Sequence, residues 1–152
     1  MISKIISGGQ TGVDQAALDV AIALGIPHGG WIAKGRKTEN GALPDTYRLK
    51  EMPTPSYAKR TEQNVIDSEG TLILSLGPLT GGSELTHKTA MLYDRPCLHI
   101  DLGTLNTLQT VKTVRSWIVR HGIEILNIAG SRASENPEIY DMATKTLRDA
   151  LG

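Results

Sequence analysis

Three glycine-bearing loops carry groups that could hold an anion. The first is Ser7-Gly8-Gly9-Gln10-Thr11-Gly12 and the second is Gly77-Pro78-Leu79-Thr80-Gly81-Gly82-Ser83. The third is Gly130-Ser131-Arg132-Ala133-Ser134-Glu135-Asn136-Pro137. Each follows an apolar run and precedes an amphipathic one. Glycine lets a ligand come close to the backbone, and the first N–H groups of a following helix have no partner inside it. The helix dipole favours negative charge at the same place. Thr11, Thr80, Ser83, Ser131 and Ser134 add hydroxyls, and Arg132 adds a cation. Lys34, Arg36 and Lys37, near Trp31, read either as a solvated basic loop or as a lid that brings cations to an anionic ligand. The expected contacts therefore run from Gly8 to Gly12, across Lys34, Arg36 and Lys37, from Thr80 to Ser83, and over Gly130, Ser131, Arg132 and Ser134. Such a set suits a ligand bearing phosphate or another oxyanion.

Other chemistries find less support. No Gly-Lys-Ser/Thr follows the first loop, and the dinucleotide G-x-G-x-x-G spacing is missing. His28, His87, His99 and His121 show no i, i+4 pair and Cys97 stands alone, so no structural metal is expected. No G-x-S-x-G elbow supports an acyl-transfer triad. Glu84, just past Gly81-Gly82-Ser83, is the best-placed carboxylate for acid/base work, but satisfying the helix N-terminus is a sufficient role for it. Asp14 likewise suits the dipole of the helix that begins after Gly12. His99, within a strand, reads as a satisfied, partly buried histidine.

The elements that must position these loops alternate. Ile2, Ile5 and Ile6 precede the first loop as a strand, and Val13 to Leu24 has helical spacing, stopped by Gly25. His28 to Ile32 reads as a short second strand. Ala33 to Tyr57 has no period and is long for a connection. A helix over Tyr57 to Asp67, a buried strand over Thr71 to Leu76 and a helix to about Tyr93 follow. Cys97 to Asp101 is a fourth strand, and Leu105 to His121 a fourth helix. Ile123 to Ala129 is a fifth strand. A last helix follows, with Asn136 as N-cap and Pro137 at its first position. Strict alternation gives a doubly wound parallel sheet of about five strands with helices on both faces, a Rossmann-like α/β fold over residues 1–152 as one ligand-binding domain. All strand-to-helix loops then share one edge, and ligands bind where the winding reverses. The strand order expected is 2-1-3-4-5, with 3-2-1-4-5 as the alternative.

A chain of 152 residues, 39% hydrophobic, fits a single globular core. Its 16 basic and 16 acidic residues balance, which argues against a dedicated nucleic-acid binder. A lone cysteine suits a reducing compartment, no leader pattern is evident, and the apolar runs are too short for a bilayer. The expectation is a cytoplasmic protein with neither nucleic acid nor membrane as partner.

Several ordered motifs carry a family resemblance. They are Gly8-Gly9-Gln10-Thr11-Gly12-Val13-Asp14, Gly29-Gly30-Trp31, Gly35-Arg36, Arg60-Thr61-Glu62-Gln63-Asn64-Val65, Asp67-Ser68, Gly70-Thr71-Leu72-Ile73, Leu79-Thr80-Gly81-Gly82 and Leu126-Asn127-Ile128-Ala129-Gly130. Together they resemble the putative molybdenum carrier family, which is similar to the lysine-decarboxylase-like, nucleotide-binding Rossmannoid proteins. The resemblance implies a carrier or storage protein that binds molybdenum cofactor (molybdopterin) or molybdate as its small anionic ligand. It also implies a homo-oligomer, dimer or tetramer, with molybdoenzymes or cofactor-synthesis proteins as further partners. Where that family commonly has Cys-Pro after Gly-Gly-Trp, this chain has Ile32-Ala33. The related nucleotide-cleaving enzymes carry Gly-Gly-x-Gly-Thr-x-x-Glu, and Gly81-Gly82-Ser83-Glu84-Leu85-Thr86 lacks that spacing. The alternatives are a hydrolase acting on nucleotide 5'-monophosphates, with Glu84 or Asp14 as acid/base, and a nucleotide-sensing module.

Overall fold

Short runs of isoleucine and leucine become strands where helices cover both sides of them, and four such runs, joined by the two residues His28–Gly29, build the central sheet. The computed structural model describes residues 1–152. The strands are β1 (Lys4–Ile6), β2 (His28–Gly29), β3 (Gly70–Ser75), β4 (Cys97–Asp101) and β5 (Ile125–Gly130). All pairings in the sheet are parallel. The helices are α1 (Val13–Leu24), α2 (Tyr57–Ile66), α3 (Gly81–Leu92), α4 (Thr107–His121) and α5 (Ile139–Leu151).

The two faces of the sheet differ. Alternate strand residues point to opposite faces. Ile5, Leu72, Leu74, Ile100, Leu126 and Ile128 meet Val13, Ala17, Val114, Ile118, Ile139 and Leu147 in one buried apolar cluster. That face is covered by α1, α4 and α5. The intervening strand residues Thr71, Ser75 and Asn127 are polar and buried. On their side α2 packs against α3, and α3 against β3, β4 and β5. Arg60, Thr61 and Asn64 of α2 and Ser83, Thr86 and Thr89 of α3 are buried too. Asn127 Nδ2 donates to Thr71 Oγ1 at 3.2 Å across the β5–β3 pair. A polar layer so deep in a small protein must be satisfied by hydrogen bonds or by a ligand.

The strand order corrects the expectation. It is neither 2-1-3-4-5 nor 3-2-1-4-5 but 2-1-5-3-4. The last strand inserts between the first and the third, with Ile5 opposite Leu126 and Leu72 opposite Ile128. Burial explains the choice. β4 carries His99 and Asp101, both half-exposed, and so stays at the edge, whereas Leu126 and Ile128 of β5 are fully buried. Counted from β3 instead of from β1, the same order reads 2-1-3-4-5. The fold is thus the expected winding with the chain opened elsewhere, and residues 1–2 and 151–152 line one groove at the foot of the sheet.

Three smaller readings are also corrected. The stretch His28 to Ile32 is not one strand: it breaks at Gly30, and Trp31–Ile32 pairs in parallel with Lys50–Glu51. The aperiodic segment is ordered, with a two-residue antiparallel hairpin of Lys37–Thr38 and Gly41–Ala42. Asn136 and Pro137 precede α5 instead of starting it: the Ile139 N–H donates to the Asn136 carbonyl at 3.0 Å, closing a tight turn first. No helix is long and apolar enough to cross a membrane.

Gly130 is the price of the central insertion. A Cβ there would lie 2.0 Å from the Leu74 carbonyl oxygen and 2.7 Å from Val13 Cγ2. Backbone and a β-branched side chain cannot yield as a flexible tip would. Gly130→Ala should therefore lose roughly 3 kcal/mol or more of unfolding free energy, at or above the upper end for overpacking. Urea titration followed by circular dichroism measures it, and a loss below about 1 kcal/mol on the same scale would contradict the close approach.

Candidate functional site

The polar face of the sheet opens into a cleft at the C-terminal ends of the strands, and α2 supplies one wall. Its N-cap, Ser56, accepts the Lys59 N–H at 3.2 Å. Tyr57, Arg60, Thr61 and Asn64 follow at helical spacing and all line the cleft. Asn64 fixes the helix against the second strand region: its Oδ1 accepts the Trp31 N–H at 2.8 Å and its Nδ2 donates to the Trp31 carbonyl at 3.1 Å. Trp31 Nε1 in turn donates to Asp67 at 2.7 Å. Arg60 reaches across to the first glycine loop, where Nη1 donates to the Gly8 carbonyl at 2.8 Å. A side chain at position 8 would put Cβ 2.5 Å from that nitrogen, so the guanidinium itself requires the glycine.

The other walls come from the three loops. Gly8, Gln10 and Asp14 represent the first loop and α1, and Gly82, Ser83 and Thr86 the start of α3. Asn127, Ala129 and Gly130 come from β5, and Arg132 and Glu135 belong to the third loop. With β5 central, the Gly130 loop lies between the other two and not beyond them. The enclosed space is about 70 Å³, roughly twice a water's share of liquid volume. It has room for a small polar group, and it opens outward. Gly81 and Gly82, the first residues of α3, donate their N–H groups to nothing in the chain.

Charge in the cleft is deeply buried and makes no direct ion pair. Arg60 is 8% exposed and Asp14 is 7% exposed. Neither belongs to any of the molecule's ion pairs. Burial works to lower the Arg60 pKa against the pull of Asp14 and Tyr57, yet a guanidinium stays charged in a protein. Burial pushes the Asp14 carboxyl up to about 6, against Arg60, the Gln10 N–H and Arg132. Asp14 Oδ2 accepts that Gln10 N–H at 3.1 Å. Gln10, 6% exposed, gives its Oε1 to the N–H groups of Thr11 (3.1 Å) and Glu39 (2.9 Å). Its Nε2 is left buried without a partner. A buried donor of that kind costs about 1–3 kcal/mol unless something accepts from it.

The remaining expected contacts are distributed around this cleft. Gly9 lies against Leu49, Ile32 and Leu43, and Gly12 against the Ser131 backbone. The Ser131 carbonyl accepts the first N–H of α1, from Val13, at 3.2 Å. Thr11 and Ser134 are engaged by Glu39. The Thr11 hydroxyl donates to Glu39 Oε2, and the Ser134 hydroxyl and N–H donate to the same carboxylate at 2.6 and 3.1 Å. Burial opposes the Glu39 charge, but these bonds outweigh it and hold the carboxyl below its usual range. Thr80 is the N-cap of α3 without a side-chain bond. Glu84 pairs outward with Lys88 at 3.0 Å and does not line the cleft.

Of the basic stretch, Arg36 turns back onto its own loop, donating to the carbonyls of Leu43, Pro44 and Tyr47 at 2.8–3.0 Å. The Lys34 side chain is exposed, its N–H bonded to the Thr54 carbonyl at 2.9 Å. Lys37 stands 4.6 Å from the centre of the Tyr57 ring, and Arg60 and Arg132 flank the same ring at 5.2 and 5.9 Å. Tyr57, Arg60, Thr61 and Asn64 carried no site role in the sequence reading. The usable signal was a polar stripe at i, i+3, i+4 and i+7 on a helix with almost no apolar face.

A parallel α/β sheet with three glycine loops converging on one polar cleft defines a Rossmann-like protein. The chain belongs to the circularly permutated YpsA SLOG family, whose model matches residues 5–151. The displaced strand order accords with that permutation. The chain is also similar to the crystal structure of the Putative molybdenum carrier protein from Syntrophus aciditrophicus SB. The two are 55% identical, with a TM-score of 0.98 over 99% of this chain and 96% of that one. No curated protein matches the chain.

Asp14 gives the site a pH signature in folding. A carboxyl raised from 3.8 to about 6 binds a proton more tightly folded than unfolded. Its favourable contribution is therefore complete below about pH 4 and is lost as the pH rises through about 6. Asp14→Asn keeps an acceptor for the Gln10 N–H and removes the charge. At pH near neutrality it should be more stable than the parent by about 2–3 kcal/mol, with a flatter stability profile over that window. Urea unfolding at several pH values tests this; an equal slope in parent and variant would place the titration elsewhere.

Proposed function

We propose that this protein is a carrier that holds molybdenum cofactor through its terminal phosphate, seated in the cleft beneath Arg60. The observation that carries the reading is Arg60 itself, a buried guanidinium with no carboxylate partner. Leaving such a charge unpaired is costly, and an anion in the adjoining space offsets that cost. Gln10 and Gly82 line the same cleft, and the free Gly82 amide adds a neutral donor of the kind that surrounds a bound oxyanion. The 55% identity to a protein described as a molybdenum carrier supports the identity of the cargo. Glu84, facing away, is not the acid/base group that a nucleotide hydrolase at this cleft would use. Met91 and Leu92 of α3 and Leu108 and Val119 of α4, 64–80% exposed, are apolar surface on which a homo-oligomer could form.

Arg60→Met keeps the length of the side chain and removes the charge. One charge-assisted contact is worth about 1.5–3 kcal/mol, so oxyanion affinity should fall at least about tenfold. Calorimetry with inorganic phosphate reads this directly. The cargo is tested by purifying the protein from cells that make the cofactor, then measuring molybdenum, phosphorus and pterin in native mass spectra. The expected result is one cofactor per chain, lost in Arg60→Met. Release of free base from AMP by the purified protein would overturn the carrier reading.

A further inference from the structure

Asp14 lies in the same cleft as Arg60 and Gln10 and introduces a problem that the cation alone does not. Its Oδ2 is committed to the Gln10 N–H, and its Oδ1 has no partner in the chain. An ionised carboxylate beside an oxyanion repels it, as two carboxylates sharing a site repel each other, and a single shared proton relieves the repulsion. The charged groups facing Asp14 are few. Arg60 comes from α2, with the Tyr57 hydroxyl-bearing ring beside it; Arg132 and Glu135 come from the third loop, paired to each other at 3.7 Å. β5 and α3 line the cleft with neutral residues only, and Glu39 lies behind Thr11, held by its own hydrogen bonds. Asp14 and the ligand are therefore the two places where the shared proton can reside.

We propose that Asp14 makes the cleft selective for oxyanions that bring a hydrogen of their own, such as a hydrogenphosphate. An oxyanion without one, such as sulfate or molybdate, is then held only together with a proton taken up from solvent. In the seated complex the ligand O–H donates to Asp14 Oδ1 while the other oxygens accept from Arg60 and the neutral donors. A phosphate monoester, whose last proton leaves near pH 6, is held in its monoprotonated form and loads with proton uptake at neutral pH. Inorganic phosphate carries a hydrogen throughout the neutral range and needs no such uptake. The inference rests on the cleft taking an oxyanion at all.

Calorimetric titrations of the intact protein with inorganic phosphate and with sulfate, at pH values between roughly 6.5 and 8, separate the two questions. Phosphate affinity should not fall over that span, because the hydrogenphosphate form, which already carries the one shared proton, grows as the pH rises. Sulfate affinity should fall by about twentyfold over that span, as expected for one linked proton on a group titrating near 6. Repeating the sulfate titration in buffers of different ionisation enthalpy should show close to one proton taken up. In Asp14→Asn, which lacks the charge, sulfate should bind with little pH dependence and the preference for phosphate should vanish. Sulfate binding that is flat with pH in the parent, or equal to phosphate at the upper pH, overturns the role of Asp14 while leaving the oxyanion cleft standing. Failure of both anions to bind at any pH overturns the cleft reading and this inference with it.

Discussion

The backbone pairing of β5 on both of its edges is the constraint on which the rest depends. It sets three glycine loops side by side, because a parallel sheet delivers every strand into a loop at the same edge. It also aligns Asn127 and Thr71 on the polar face and Leu126 and Ile128 on the apolar one. Close packing leaves no room for a side chain at Gly130. The cleft is thus a consequence of a seam that ties the two ends of the chain's winding together.

That seam gives the molecule an asymmetric interior. One side of the sheet does the work of folding through isoleucine, leucine, valine and alanine. The other side buries arginine, asparagine, threonine and a carboxyl whose pKa burial pushes up. Stability is small compared with the terms that oppose each other in it, and buried charge is where natural proteins give some of it up for function. The apolar face has to be sound enough to carry a polar face that buries a guanidinium without a direct ion pair.

Much of this was legible in the sequence, and the parts that were not share a cause. The alternation of strands and helices was read from β-branched runs, glycine stops and helical spacing, all of which are local. The order of the strands was not, since Leu126 and Ile128 look the same whether their strand lies at an edge or in the middle; only the half-exposed His99 and Asp101 of β4 hinted at which strand would be left outside. The loops were found by their glycines. Arg60 was not found, because its partner is a carbonyl 52 residues earlier and its significance is the absence of a carboxylate. The cations at Lys34, Arg36 and Lys37 were conspicuous in sequence, yet Arg36 serves the backbone of its own loop. Clustering of like charges says that they are near one another, not which way they face.

Glu39 has a bearing on the kinetics of loading. Its carboxylate already occupies the hydroxyls and amide of Thr11 and Ser134, so the chain supplies an anion of its own to the seam between the first and third loops. The entropy of freezing those loops is met when the protein folds, not when a ligand arrives. A guest entering the neighbouring space meets walls already in place and need not wait for a segment to order. Departure likewise does not require the seam to come apart. On the proposed carrier reading, residence time would be governed by the few contacts the guest itself makes, a useful property where a cargo must be handed on intact.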